Sequence, residues 1–124
     1  TPQITADGNF SFLGKTRFWN FLTRSYDPIN APKFKVNAKV AYNADHGFHG
    51  NMGFRYIPEF DWSAGVHYGT IDEYLVIDSM VGYRFGKRYD LLLNINNLNG
   101  DVHREIIGGP KLGRHITLKL NARF

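Results

Sequence analysis

Apolar and polar residues alternate one by one in six stretches of this chain. Residues 115–124 show it most strictly: Ile116, Leu118, Leu120, Ala122 and Phe124 fall on one side of an extended backbone, Thr117, Lys119, Asn121 and Arg123 on the other. Side chains of a strand point alternately to opposite faces, so this is a strand with one greasy and one wet side. Its length matches the ~9–11 residues that cross a bilayer as a tilted strand. In residues 34–42, Phe34, Val36, Ala38, Val40 and Tyr42 oppose Lys35, Asn37 and Lys39. In 48–57, Phe48, Gly50, Met52, Phe54 and Tyr56 oppose His49, Asn51, Gly53 and Arg55. Residues 74–85 set Leu75, Ile77, Ser79, Val81, Tyr83 and Phe85 against Val76, Asp78, Met80, Gly82 and Arg84. Residues 89–98 set Leu91, Leu93 and Ile95 against Asn94 and Asn96, and 4–12 carry a thinner apolar side of Ala6, Gly8, Phe10 and Phe12.

The connections between these strands alternate too. Residues 13–33, 58–73 and 99–114 are long; the Asn43-Ala44-Asp45-His46-Gly47 and Gly86-Lys87-Arg88 turns are short. Phe18 to Arg24 admits a short helix, and Pro28 and Pro32 bar its continuation. Successive antiparallel strands put alternate connections at opposite ends, so the long loops share one end and the turns the other. Short periplasmic turns and long external loops are the asymmetry of outer-membrane barrels. Tyr42, Phe48, Tyr83, Phe85, Tyr89 and Phe124 fall at the turn end, and Phe12, Phe34, Tyr56 and Tyr74 at the loop end. Two aromatic belts around an aliphatic middle suit the two lipid interfaces. A soluble barrel or sandwich also alternates, with its apolar face turned to a core. That ligand-binding alternative explains neither the belts nor the loop asymmetry.

Composition narrows the choice. Aromatics make up 15% of 124 residues, which suits the belts, and the absence of cysteine removes disulfides and thiolate metal sites. The formal charge of +4 fits nucleic acid, anionic lipid or an anionic ligand equally. No apolar run approaches a membrane helix, and slightly polar mean hydropathy is normal for alternating barrel strands. The basic and aromatic residues form no sequence-local platform, so nucleic acid is not expected as a partner. Neither a nucleophile elbow nor a phosphate-binding glycine pattern is legible, and no enzyme or cofactor is expected.

Several motifs resemble those of one family. Asn30-Ala31-Pro32-Lys33 leads into a strand; Val81-Gly82-Tyr83-Arg84-Phe85, a short turn and Leu93-Asn94-Ile95-Asn96-Asn97-Leu98 form a hairpin; Arg104 to Arg114 make a glycine-rich loop before the closing strand. In this order they resemble the carboxyl-terminal barrel portion of a TonB-dependent outer-membrane receptor, Bacteroidota-like in style. The final strand departs from the pattern in having Ala122 where a bulky apolar residue is usual. The resemblance implies an all-β fold: about six antiparallel transmembrane strands in up-and-down order, part of a larger, 22-stranded type of barrel, with residues 1–124 as its carboxyl-terminal segment. Six strands alone would leave two unpaired edges in lipid, so a larger barrel is expected to complete them.

The same resemblance implies energised uptake of a scarce nutrient, such as a ferric siderophore, haem, cobalamin or glycan, at the bacterial outer membrane. It implies as partners the rest of the barrel and its plug, TonB through the plug, outer-membrane lipid and lipopolysaccharide, the barrel-assembly machinery and a substrate-capturing lipoprotein. Leu118, Leu120 and Phe124 would belong to the assembly signal. If the greasy sides face lipid, Lys35, Lys39, Arg55, Asp78, Arg84, Lys119 and Arg123 face the lumen. Those cations would either draw anionic ligands or pair with acids on plug and neighbouring strands. In the external loops, Trp19, Tyr26, Trp62, His67, Tyr68, His103 and Arg104 are the candidate ligand contacts, because exposed aromatics stack on planar or sugar ligands. Loop packing and lipopolysaccharide contact are the competing roles for them. The five histidines lack metal-ligand spacing, so no metal is expected.

Overall fold

The computed structural model describes residues 3–123; Phe124 of the expected assembly signal lies outside them. All the regular structure there is β. Six strands build one antiparallel sheet: β1 (Gln3–Phe12), β4 (Phe34–Asn43), β5 (Gly47–Ile57), β8 (Tyr74–Phe85), β9 (Tyr89–Asn96) and β10 (His115–Ala122). They lie side by side in the order β1-β4-β5-β8-β9-β10, an up-and-down meander with β1 and β10 at its open edges. The long and short connections alternate as the sequence pattern requires.

The register carries the apolar residues into continuous rows. Ala6 pairs with Val40, Val40 with Met52, Met52 with Ser79, Ser79 with Ile95 and Ile95 with Ile116. A parallel row runs from Ile4 through Tyr42, Gly50, Val81 and Leu93 to Leu118. Because the side-chain period is two, every residue in such a row leaves the sheet on the same side. That side is uncovered: Val40 is 52% exposed, Met52 53%, Leu118 68% and Leu120 63%. Aromatic rings mark its two ends. Phe34 lies between Phe10 and Tyr56, 6.0 Å from each, near the loops. Tyr83 contacts Phe48 at 4.8 Å and Phe85 at 4.7 Å near the turns.

The buried residues sit on the opposite face. Ile57, Tyr74 and Val76 are buried at the loop end of the polar side, under Ile71, with Phe60, Trp62 and Ile107 against them. Their cover comes from the long connections, which carry more structure than the sequence pattern implied. The first folds as a hairpin of β2 (Arg17–Asn20) and β3 (Ser25–Pro28), and the second as a hairpin of β6 (Phe60–Ala64) and β7 (His67–Ile71). The short helix expected between Phe18 and Arg24 is replaced by the first hairpin. Arg24 turns it with a φ of 52°, and Asn20 Oδ1 accepts the Leu22 N–H at 2.9 Å.

Two further expectations are corrected. Tyr74 does not join the loop-end belt. It pairs with Ile57, one residue out of step with the Tyr56–Leu75 pair, and so points to the polar face, where it is buried. The fifth main strand stops at Asn96 rather than Leu98, because Asn97 takes a φ of 58° and turns the chain.

Candidate functional site

At the loop end the three long connections interlock. Arg17 of β2 binds Asp61 of β6 at 2.6 Å. The Asn30 amide and the Ser63 backbone exchange two hydrogen bonds, each 2.7 Å, so one side chain plays the part of a strand edge. The second hairpin meets the third connection through Gly69. A Cβ there would stand 3.0 Å from Ile107 Cδ1, so the bare glycine seats that side chain.

The third connection is tied to the sheet by asparagine and aspartate side chains. Asn97 is buried; its N–H donates to Asp78 Oδ1 at 2.9 Å and its amide closes a loop with Asp101. Asn99 and Asp101 then satisfy the β8 backbone that β9 has left: Asn99 bonds Ile77 N and Leu75 O, and Asp101 Oδ2 accepts the Leu75 N–H. Backbone groups this far from a partner strand would otherwise stay unpaired, which explains acid and amide residues at alternate positions 97, 99 and 101.

The expected ligand contacts divide between two places. Trp19 and Tyr26 are cross-strand partners on the first hairpin, in edge contact at 5.1 Å. Tyr68 stands exposed on β7, and His67 lies against Gly108 of the third connection. Trp62 is not a free external aromatic, because it packs on the buried cluster. His103 is buried as well and lies flat on Tyr74, 4.2 Å between ring centres and 13° between planes. Its Nδ1 donates to the Asp101 carbonyl at 3.1 Å, while Nε2 has no hydrogen-bond partner among the described residues and stands 3.8 Å from Glu105. Arg104 is exposed beside it. His103, Arg104, Lys111, Asp72, Glu73 and Asp101 line a cleft of about 220 Å³, large enough for a small polar molecule.

The polar wall is partly self-neutralised. Arg55 pairs with Glu105 at 3.1 Å, which draws the third connection onto the sheet. Arg84 approaches Asp90 at 3.8 Å and donates to the Ala44 carbonyl. Asp78 is taken by the Asn97 N–H. Lys35, Lys39 and Lys119 make no ion pair among the described residues. Pairing with acids is thus realised within the chain for two of the arginines, and the three lysines remain presented on the open face. No group of three or more His, Asp and Glu side chains gathers there as a metal site among the described residues.

One arrangement is not visible in the sequence pattern. His49 is buried, crosses over Gly82 and places Nε2 2.8 Å from Asp90 Oδ1 on β9. A Cβ on Gly82 would stand 2.5 Å from His49 Cε1 and 2.7 Å from Leu92 Cδ2. The available signal was the glycine itself, since glycine inside a strand marks a close approach.

Comparison of the chain with protein-family models, with curated protein sequences and with solved structures gives no match.

Proposed function

We propose that this chain is a wall segment of an outer-membrane β-barrel, in the manner of the TonB-dependent receptors its motifs resemble, and that it serves uptake of a scarce nutrient. The observation that carries the reading is the uncovered apolar face, continuous across all six main strands and bounded by aromatic rings at both ends. Contiguous apolar patches of that extent are rare on soluble monomers and mark contact with membrane or protein. Lipid suits this one, because the charged residues of the main strands are confined to the other face and the long loops to one end. The open edges at β1 and β10 call for further strands, since unpaired backbone is not tolerated in hydrocarbon. The outer barrel strands, the plug and TonB are the partners this reading supplies.

In that setting the lumen wall is the face of Lys35, Lys39, Arg55, Asp78, Arg84, Lys119 and Arg123. The external surface is built by the interlocked hairpins, with Trp19, Tyr26 and Tyr68 exposed for a ligand and the cleft beside Arg104 open to small polar groups. A ferric chelate, haem, cobalamin or glycan is the cargo class that the family resemblance brings. Fractionation tests the reading. The native protein should sediment with outer membranes, resist extraction by alkaline carbonate and dissolve in detergent. Recovery in solution without detergent would remove it.

A further inference from the structure

At the turn end of the sheet, opposite the loops, a cleft of about 430 Å³ opens where β8, β9 and β10 meet. Among the described residues four cations line it, Arg84, Lys87, Arg88 and Arg123, against one carboxylate side chain, Asp90. They come from three separate pieces of chain: the end of β8, the β8–β9 turn and the residue after β10. The Arg123 N–H donates to the Arg88 carbonyl at 2.9 Å, which fixes two of these pieces together. The carboxylate is already engaged. Asp90 takes His49 through Oδ1 and faces Arg84 through Oδ2. The side chains of Lys87, Arg88 and Arg123 have no acidic partner among the described residues. Three unpaired cations converge on a concave surface, beside an asparagine amide at Asn121.

The geometry points to a phosphate-binding site in this cleft. Guanidinium groups match phosphate oxygens in a planar fork, and a cluster of three unpaired cations suits a doubly or singly charged oxyanion better than a neutral ligand. The depth of the cleft suggests where phosphate comes from. Tyr83, Phe85 and Tyr89 stand on the apolar face at the same end, at the level where aromatic belts meet headgroups. Lys87 and Arg88 lie in the turn just beyond them. An anionic phospholipid headgroup of the inner leaflet, reaching over the rim to Lys87 and Arg88 in the turn, is one source of the phosphate; free inorganic phosphate, arriving from the polar side that Arg84 and Arg123 share, is the other. The lipid source rests on the membrane reading above; the anion site itself does not.

The test uses the whole protein, purified from whichever cell fraction holds it. The probes are inorganic phosphate, vesicles of phosphatidylcholine alone, and vesicles of phosphatidylcholine with an equal amount of phosphatidylglycerol. The variant K87Q/R88Q/R123Q removes the three unpaired cations. K15Q/R24Q/K33Q removes the same charge from the first long connection, at the opposite end of the sheet. The unmodified protein and the second variant should bind phosphate-bearing probes alike. The first variant should bind about a hundredfold more weakly, about fivefold for each cation. Preference for phosphatidylglycerol that inorganic phosphate does not compete away assigns the site to lipid. Binding of inorganic phosphate without that preference assigns it to a soluble source. Failure of the unmodified protein to bind both inorganic phosphate and the phosphatidylglycerol vesicles overturns the site, as does equal loss in both variants. A protein found in the soluble fraction sinks the membrane reading, and the inorganic phosphate arm still decides the site.

Discussion

The two faces of the main sheet share every backbone hydrogen bond and differ in everything else. One face carries Ile4, Val40, Met52, Val81, Leu118 and Leu120, all exposed, and none of the described residues packs over it. The other carries lysines, asparagines and aspartates, yet it is the face that holds the buried cluster of Ile57, Ile71, Tyr74 and Val76. In a soluble sheet protein the apolar face makes the core, and burial of each large side chain there stabilises by about 1.5–3 kcal/mol. Here the chain spends its covering segments on the wet side. The difference teaches that burial here follows the long connections rather than the apolar pattern: the loop-end cluster seats the hairpins, and the apolar face is the surface that the proposed lipid contact would cover.

The strongest way to break the seat is Ile71→Ala. Its side chain is fully buried between the second hairpin and the sheet, so its loss should cost about 2–5 kcal/mol. Limited proteolysis should then cut in residues 58–73 while the sheet persists. A charge on the other face comes next. On the proposed lipid facing, Val40→Arg at the middle of the apolar rows should destabilise the protein by about 2–4 kcal/mol, measured by urea unfolding in lipid. Its neighbour Lys39 points the opposite way, and Lys39→Glu should be much milder. Equal harmlessness of the two would reverse the assignment of faces.

Gly82→Ala tests the close approach on the polar side. The new methyl group collides with both His49 and Leu92, an overpacking worth about 1–3 kcal/mol. The double variant with His49→Ala should recover part of that loss, and thermal unfolding of the three proteins checks it. The smallest effect expected is that of Arg17→Ala. Its bridge to Asp61 joins the first two hairpins, but the arginine is more than half exposed, so the pair contributes about 0–1 kcal/mol. Hydrogen exchange in β2 and β3 should quicken with little change in global stability.

Much of the sheet was legible because strict alternation has one structural meaning over eight or more residues. The strand starts at Phe34, Tyr74, Tyr89 and His115 agree with the pattern, as do the alternating long and short connections. The hairpins in the loops were not legible. Strands of four or five residues, such as Arg17–Asn20 and Phe60–Ala64, are too short to display a period, and Pro28 reads as a breaker although it ends β3. Tyr74 stands at a strand end, where a belt residue is expected, but its parity with Val76 and Asp78 turns it to the polar face. His103 looked like a free loop histidine because nothing local announces that its ring lies on Tyr74, which is far away in sequence. The lysine face followed directly from alternation, whereas the pairing of Arg55 with Glu105 depends on how the third connection folds back.

The proposed facing of the sheet is tested most directly by spin labels on the protein in lipid. The chain has no cysteine, so single substitutions at Val40, Met52 and Leu118, and at Lys39, Asn51 and Lys119, each give one label site. Labels from Val40→Cys, Met52→Cys and Leu118→Cys should relax with dissolved oxygen, which concentrates in lipid. Those from Lys39→Cys, Asn51→Cys and Lys119→Cys should relax with a water-soluble nickel chelate. Equal accessibility of both sets to the chelate, or the reverse pattern, would contradict a lipid-facing apolar wall.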